Sequence, residues 1–428
     1  MYTKKAVEHI WTEQDEREHN NCALEWWCLE GFFTNIKDDK KFCFKSDLTE
    51  WYTSKPKGEG SLSKMTFFDL SSNKHYRYNK RDNKKRLKSE KNCFNICFDK
   101  SYIKGSYPDF EIFFVDKKNN IEILINFHAE SNPHWVTQDI TDGWLPLGFG
   151  TYRYGFIPKG KISGYTIMNN KKIKIEGFGY FEHVWGDFTY HRILENIKQI
   201  KKTFKIYTSL IGTWKKNYKI KIPNKIKLLS ENNPLGYDWF WAVLNNGWSI
   251  FYGNIMMWLM QGPAAGPLIL TKDGMNYEEF YKIDFKYNKV KHAKDYDFIY
   301  PTELEIRAVK DKKELLLKCK TDIKPVEYVS RFSDSKIWLG LAICEIPGSI
   351  TGYYKENNKK INLSGFCKIE PQRQMSVFGH NQLDIDIIKP PKGIGFNIDF
   401  FSNFFKKHIF LKFVLNPRPK LKFKIKKI

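Results

Sequence analysis

The sequence predicts an all-β fold made of two antiparallel β units. Short segments rich in aromatic and β-branched residues recur along the 428-residue chain, and clusters of Gly, Asn, Asp and Lys separate them. This alternation is typical of antiparallel sandwiches and barrels. The pattern occurs before residue 188 and again after residue 236, and aromatic residues make up 16% of the chain. Two units with large aromatic cores are therefore expected.

The first unit contains five segments that are predicted to be strands. They span residues 23–34, 64–70, 110–116, 121–127 and 171–181. The sequence Lys-Lys-Asn-Asn at residues 117–120 stands between the third and fourth segments and predicts a hairpin connection, because Asn tolerates the backbone angles of a tight turn.

The second unit repeats this organisation. Its predicted strand segments span residues 237–256, 302–309, 313–319, 349–354 and 360–369. Asn-Asn-Gly at 245–247 divides the first of these and predicts a hairpin turn. Both units start with an aromatic hairpin and end with a Gly-containing strand, which suggests an internal duplication.

The segment between the units differs in composition. Apolar residues recur at helical spacing from Ile193 to Trp214, and four lysines cluster on the polar side. Residues 188–230 hold 11 Lys or Arg and one acid, Glu195, for a net charge of +10. Such a helix is typical of membrane-surface or partner binding. The alternative, which stays open, is a surface helix that covers a barrel and keeps its lysines in solvent.

The carboxy-terminal region is also basic and aromatic. Residues 404–428 contain nine Lys or Arg and no acid, and residues 420–428 alternate Lys with Leu, Phe and Ile. This alternation predicts an extended strand with one cationic face. The two basic regions hold +19 of the net +23, so the other 360 residues carry only +4. We expect residues 188–230 and 399–428 to contact an anionic membrane surface. A partner protein that covers the phenylalanines of 400–405 is the alternative.

Several classes of protein are excluded or disfavoured. No apolar run approaches the ~18 residues of a membrane-spanning helix. No signal peptide is recognisable at the start, so a cytoplasmic location is expected, with peripheral attachment to a membrane as its refinement. Zinc-finger, RNA-binding and phosphate-loop signatures are missing, so nucleic acid is not an expected partner. No motif predicts a metal site or a cofactor.

Five sequence elements point to a known family. They are residues 25–27 (EWW), 179–186 (GYFEHVWG), 238–240 (DWF), 300–301 (YP) and 365–370 (GFCKIE). In this order and spacing they resemble the AttH-like or carotenoid 1,2-hydratase (hydroxyneurosporene synthase) family, which also includes kievitone hydratase and fungal Diels–Alderases.

The resemblance covers residues 20–187 and 236–372. It implies two lipocalin-like antiparallel β-barrel domains, packed together, with a hydrophobic ligand site at their interface or in a barrel mouth. The expected domains are therefore 1–187 and 236–378, with a basic insertion at 188–235 and a basic extension at 379–428. Two departures stand out: Glu182 occupies a position where the family usually has Asp, and the insertion lengthens a junction that is usually short.

The resemblance implies chemistry on a hydrophobic, isoprenoid-like substrate. Hydration of an isolated alkene requires an acid that protonates one carbon, and aromatic faces that stabilise the resulting cation. The candidate catalytic residues are Glu182, His183 and Asp238, and the candidate substrate-binding residues are Glu25, Trp26, Trp27, Trp185, Trp239 and Trp241.

The period of two in a strand leaves the roles of Glu182 and His183 open. His183 shares a face with Ile173 and Ile175, whereas Glu182 shares a face with Lys172 and Lys174 and is expected outside. A bulge at Gly177 or Gly179 would exchange the two faces. Glu182 is thus the direct acid, or an outer group that orients a pocket-facing His183, or the motif is purely structural.

Two functions remain open at this stage. The first is a hydro-lyase or cyclase that acts by acid-initiated addition to a C=C bond. The second is a non-catalytic lipocalin-like carrier that binds a lipid or isoprenoid in the same pocket. Fold alone does not decide between them.

Overall fold

The computed structural model describes most of the chain. The described residues are 11–19, 22–53, 58–147, 150–187, 197–214, 225–228, 236–256, 266–293, 298–321, 323–331, 338–357, 359–378, 382–388, 394–400, 409–415 and 420–426. Within these ranges, no helix combines the length and the apolar character that crossing a membrane requires.

Thirteen described strands form a first antiparallel sheet. They are β1 (Leu24–Asn35), β2 (Lys41–Thr53), β3 (Gly58–Asp69), β4 (Lys74–Asp82), β5 (Lys88–Ser89), β6 (Phe94–Phe98), β7 (Ser101–Ser106), β8 (Asp109–Asp116), β9 (Ile121–Ala129), β10 (His134–Trp135), β11 (Trp144–Leu147), β12 (Gly150–Met168) and β13 (Lys171–Gly186). The order is β4-β3-β2-β1-β13-β12-β9-β8-β7-β6-β5, and β10 and β11 both pair with β12.

This sheet curls around its own hydrophobic core. Successive side chains of a strand point to opposite faces, and β1 shows the consequence. Trp27, Leu29 and Phe33 point into the core of the first sheet. Trp26 and Phe32 point outward and join a different cluster, which includes residues of the second sheet.

Two helices and one short strand complete this half of the chain. Helix α1 (Gln138–Thr141) lies between β10 and β11, and helix α2 (Ile197–Trp214) and strand β14 (Lys225–Leu228) follow β13. The basic segment therefore forms a helix as predicted, with residues 193–196 of the predicted span outside the described residues.

Ten described strands form the second antiparallel sheet. They are β15 (Gly236–Leu244), β16 (Ser249–Met256), β17 (Leu268–Thr271), β18 (Tyr277–Phe280), β19 (Lys282–His292), β20 (Ile299–Lys310), β21 (Lys313–Lys320), β22 (Val326–Arg331), β23 (Trp338–Glu356) and β24 (Lys359–Phe378). The order is β18-β17-β16-β15-β24-β23-β21-β20-β19, and β22 pairs with β23. The prediction of an all-β fold with two antiparallel units is confirmed.

Both predicted hairpin connections are present. Residues 117–120 join β8 to β9, with Asn120 at a φ of 52°, and residues 245–248 join β15 to β16, with Gly247 at a φ of 84°. These positive φ values explain why Asn and Gly occupy the turns.

The outer faces of the two sheets meet in an aromatic cluster, here called the interdomain cluster. Its buried members include Phe32 and Tyr180 of the first sheet and Trp239 and Phe251 of the second. Both faces of the strands that cross this region are therefore covered, and side chains on both faces are buried.

Helix α2 packs against the same cluster through one face. Ile206 and Leu210 are buried in it, whereas Lys198, Lys201 and Lys205 are exposed. The hypothesis of a covering helix with lysines in solvent agrees with this arrangement. Phe204 belongs to the predicted apolar repeat, yet it is 52% exposed among these lysines.

Charged residues also cross the interface. Lys64 Nζ of β3 lies 2.7 Å from Glu345 Oε1 of β23, and Lys368 Nζ of β24 lies 2.7 Å from Glu30 Oε2 of β1. Lys45 of β2 contacts Glu370 of β24. Together with Asp47, which contacts Lys64 at 3.2 Å, these seven residues form a buried ion network between the units.

Four further strands follow the second sheet. They are β25 (Gln382–Ile387), β26 (Ile394–Phe400), β27 (Ile409–Leu415) and β28 (Leu421–Lys426). Strands β14, β25 and β28 form a three-stranded sheet, and β26 pairs with β27. The predicted terminal strand is thus confirmed as β28, whose Phe423 and Ile425 are 62% and 75% exposed. Residues 401–405 lie outside the described residues.

Candidate functional site

Strand β13 carries the motif that the sequence singled out. It lies between β1 and β12, and its pairing with β1 keeps one register from end to end. The irregularity in its pairing with β12 lies between Ile157 and Gly160 of β12, so β13 itself contains no bulge. His183 therefore stays on the face of Ile175, and Glu182 stays on the opposite face.

The face that carries Glu182 is covered, contrary to the expectation that it lies outside. Lys172 and Lys174 are exposed on this face, but Tyr180, Glu182 and Val184 are buried farther along it. The reason is that the second unit packs only on the carboxy-terminal end of β13. The two-residue alternation of side chains shows which face a residue lies on, but it does not show which other element covers that face.

The carboxyl group of Glu182 lies in the interdomain cluster and accepts three hydrogen bonds. Trp26 Nε1 donates to Oε1 at 3.0 Å, and the hydroxyl of Tyr180 donates to Oε2 at 2.8 Å. The hydroxyl of Tyr154 donates to the same oxygen. Trp239 Nε1 of the second unit donates to the Tyr154 hydroxyl at 2.9 Å. These five residues are here called the interdomain site.

The electrostatics of the interdomain site follow from its burial. Burial raises the pKa of Glu182, and the ammonium of Lys45 and the hydrogen bonds from Tyr154 and Trp26 offset part of this effect. Burial, reinforced by the Glu182 carboxyl, raises the pKa of Tyr154 and that of Tyr180 well above the usual value. Both tyrosines therefore keep their protons, and their oxygens lie 2.8 Å apart. The arrangement can pass a proton between carboxyl and hydroxyl groups.

Aromatic rings surround this carboxyl. Tyr180 lies parallel to Phe251 at 6.1 Å and edge-on to Trp239 at 5.3 Å. Trp241 stacks on Phe32 at 5.7 Å, and its Nε1 donates to the Pro158 carbonyl at 2.8 Å. Aromatic faces of this kind stabilise a nearby positive charge.

Other predicted site residues form a second cluster on the opposite face of β13. His183 Nε2 and His19 Nδ1 lie 2.8 Å and 2.9 Å from Glu25 Oε1. The ring of Trp27 stacks on His183 at 4.6 Å, and that of Trp185 stacks on His19 at 3.8 Å. We call His19, Glu25 and His183 the His–Glu–His cluster.

Burial is the largest cause of the pKa shifts in the His–Glu–His cluster. It lowers the pKa of His183 to about 3, although a hydrogen bond with the backbone of Asp15 opposes the shift. It raises the pKa of Glu25, although contacts with His19 oppose that shift. His19 Nδ1, His183 Nε2 and a carboxylate oxygen of Glu25 lie within 4.8 Å of one another, so these three side chains could also hold a metal ion.

Asp238 belongs to neither cluster. It lies on the face of β15 that points to the second core, where Arg373 Nη1 donates to Oδ1 at 2.9 Å and the Tyr287 hydroxyl donates to Oδ2 at 2.6 Å. Asp238, a candidate catalytic residue in the sequence, is thus held in an ion pair within the second unit. The structure thus brings together Glu182, Trp26, Trp239 and Trp241 in one place, and Glu25, His183, Trp27 and Trp185 in another.

Comparison with solved structures identifies the architecture. An AttH candidate from Nitrosomonas europaea superimposes with a TM-score of 0.58 and 13% identity, over 86% of this chain and 99% of that chain. The chain has the two-domain fold of the AttH-like proteins. Kievitone hydratase from Nectria haematococca also superimposes on this chain, with a TM-score of 0.54 and 11% identity over 85% of this chain and 93% of that one. No protein-family model and no curated protein matches the sequence.

In this AttH-like fold, several site residues escaped sequence reasoning. Tyr180 stands two residues before Glu182 and so shares its face, which the strand period could have revealed. Tyr154, His19 and Asp15 carry no local signal. Their places depend on the pairing of β12 with β13 and on the path of the chain before β1.

Proposed function

We propose that the chain is an enzyme of the carotenoid 1,2-hydratase or AttH-like type that acts on a hydrophobic, isoprenoid-like substrate. The reaction is acid-initiated hydration or cyclisation of a C=C bond at the interdomain site. One observation carries the proposal: the buried carboxyl group of Glu182 accepts hydrogen bonds from Trp26, Tyr180 and Tyr154, and Trp239 of the second unit donates to the Tyr154 hydroxyl.

In the proposed reaction, Glu182 acts first as an acid. Glu182 gives its proton to one alkene carbon, which forms a C–H bond and leaves a tertiary cation. Water then forms a C–O bond with that cation and returns a proton to the Glu182 carboxylate, with the Tyr154 hydroxyl as a relay. In the cyclising variant, a second C=C bond attacks the cation, and a C–H proton returns to Glu182. The rings of Trp26, Trp239 and Tyr180 supply the π faces.

The substrate is proposed to come from an anionic membrane. The exposed lysines and Phe204 of α2 and the exposed Phe423 and Ile425 of β28 support this part, because such surfaces combine charge attraction with insertion of apolar side chains.

The test uses the full-length protein and the lipids that co-purify with it. Each lipid is incubated with the protein in D2O, and mass spectrometry follows the gain of one water or the fixation of one deuterium on carbon. Glu182→Gln is expected to abolish the change. Glu176→Gln, the same substitution on the same face of β13 but at an exposed position, serves as its control and is expected to leave turnover unchanged.

A lipid that returns unchanged from wild-type protein would favour the carrier function. Full turnover by Glu182→Gln would show that a different group is the acid.

A further inference from the structure

The His–Glu–His cluster is separate from the interdomain site and has no part in the chemistry proposed there. Its three members come from different parts of the chain: His19 precedes β1, Glu25 lies in β1 and His183 lies in β13. Their functional atoms nevertheless converge, since one ring nitrogen of each histidine contacts Oε1 of Glu25.

The hydrogen bonding of His183 fixes where its lone pair points. Its Nδ1 lies 2.6 Å from the backbone carbonyl oxygen of Asp15. A carbonyl only accepts, so Nδ1 must carry the hydrogen and donate it. In the neutral ring, Nε2 then presents its lone pair to Glu25 Oε1, 2.8 Å away. Two acceptors face each other, and an ion or a proton must lie between them.

The surroundings of Glu25 match those of a metal-binding carboxylate. The backbone N–H of His19 lies 3.0 Å from each carboxylate oxygen, and Cys22 Sγ lies 3.4 Å from Oε2. Metal-binding imidazoles usually donate their other N–H to a carbonyl or carboxylate, as His183 does here to Asp15. Such contacts orient a ligand before the metal arrives.

The cluster is rigid at its base and open at one side. The side chains of Glu25 and His183 are fully buried, and Trp27 and Trp185 stack on the two imidazole rings. The side chain of His19 is 26% exposed, which leaves a path for an ion from solvent.

We propose that His19 Nδ1, Glu25 and His183 Nε2 form a binding site for a divalent transition metal, with Zn²⁺ as the best probe. A set of two imidazoles and one carboxylate binds Zn²⁺ and related first-row ions in preference to Mg²⁺ or Ca²⁺. The site would tie the segment before β1 to the wall of the first unit.

The test uses full-length protein that is stripped with a chelator, incubated with Zn²⁺ and then desalted. Elemental analysis is expected to find about one Zn²⁺ per chain, and added Zn²⁺ is expected to raise the melting temperature. Binding of Co²⁺ is expected to give visible absorption bands. His19→Ala and Glu25→Gln are each expected to weaken Zn²⁺ binding at least tenfold.

His128→Ala is the matched control, because His128 Nδ1 also contacts a carboxylate, Asp109 Oδ1, at 2.7 Å, but on the exposed surface. It is expected to leave Zn²⁺ binding unchanged. His19 is partly exposed, so His19→Ala should fold even if Glu25→Gln does not. No Zn²⁺ retained by wild-type protein, or equal binding by wild type and His19→Ala, would overturn the proposal and leave a shared proton in the cluster. Glu182→Gln is expected to bind Zn²⁺ normally, which keeps this result independent of the proposed function.

Discussion

Glu182 and His183 are adjacent in sequence, yet their side chains lie on opposite faces of β13. Glu182 accepts a hydrogen bond from Trp26 in the interdomain site, and His183 stacks on Trp27 in the His–Glu–His cluster. Trp26 and Trp27 of β1 are divided between the two faces in the same way, because β1 and β13 pair in a constant register. Two adjacent residues on each of these paired strands therefore contribute side chains to two distinct sites.

This separation predicts that the buried His183 side chain stabilises the first unit. His183→Ala removes a fully buried ring and leaves Glu25 without that contact, so we expect a loss of about 3–5 kcal/mol in the free energy of unfolding. Urea denaturation measures this loss. His128→Ala, at a side chain that is 59% exposed, is expected to change stability by less than about 0.5 kcal/mol. Equal stability of His183→Ala and wild type would argue against a structural role for the ring.

Turns with local sequence signals were predictable, whereas a strand whose burial depends on distant residues was not. The turns at Asn119–Asn120 and Gly247 were predictable because their chemistry is local. Strand β2 was not predicted, because its outward face carries Lys45 and Asp47, which are buried only through ion pairs with other strands. Hydrophobic periodicity cannot reveal a face whose burial depends on charge pairing.

The candidate sites show the same limit. The motif residues at 182–185 and 25–27 were identified from the sequence, but their division between two sites depends on which faces the second unit covers. The His–Glu–His cluster has no spacing signal, since His19 and His183 are separated by almost the whole first unit.

The buried ion network predicts a strong dependence of stability on Glu345. Glu345→Gln leaves the ammonium groups of Lys64 and Lys368 buried with one carboxylate fewer, which typically costs about 3–5 kcal/mol. The free energy of unfolding in urea measures the loss. Glu303→Gln is the control, because it breaks an exposed pair with Lys289 and should cost under about 1 kcal/mol. Similar losses in the two variants would contradict the importance of the network.

The contribution of Glu345 should also depend on pH. Burial opposes its ionisation, but Lys64, Lys368 and Lys45 outweigh burial and hold its pKa well below the usual range. A carboxyl with a depressed folded-state pKa stabilises the fold fully above its unfolded pKa of about 4.3 and loses this effect as the pH falls further. The stability gap between wild type and Glu345→Gln is therefore expected to narrow below about pH 4.3. A gap that stays constant between neutral and acidic pH would contradict the assignment.

The exposed face of α2 predicts salt-sensitive binding to anionic vesicles. Lys201→Glu with Lys205→Glu reverses two exposed charges beside Phe204 and should weaken binding to phosphatidylserine vesicles about tenfold or more. Co-sedimentation at low and high salt measures the effect. Lys117→Glu with Lys118→Glu makes the same charge change on the exposed β8–β9 turn and should have little effect. Equal weakening by both pairs would indicate a response to net charge alone.

Tyr154 connects the two units at the interdomain site, and its hydroxyl is expected to matter for both stability and turnover. Tyr154→Phe keeps the ring but removes the donor to Glu182 and the acceptor for Trp239 Nε1. Loss of these buried hydrogen bonds should cost about 1–3 kcal/mol in the free energy of unfolding. Turnover should fall as well, because the proposed relay of the proton back to Glu182 is interrupted. Tyr102→Phe removes a Tyr–Glu hydrogen bond of 2.7 Å near the surface of the first unit and should leave both quantities nearly unchanged. If Tyr154→Phe lost stability but kept full turnover, the hydroxyl would be a structural link between the units and the returning proton would reach Glu182 by another route.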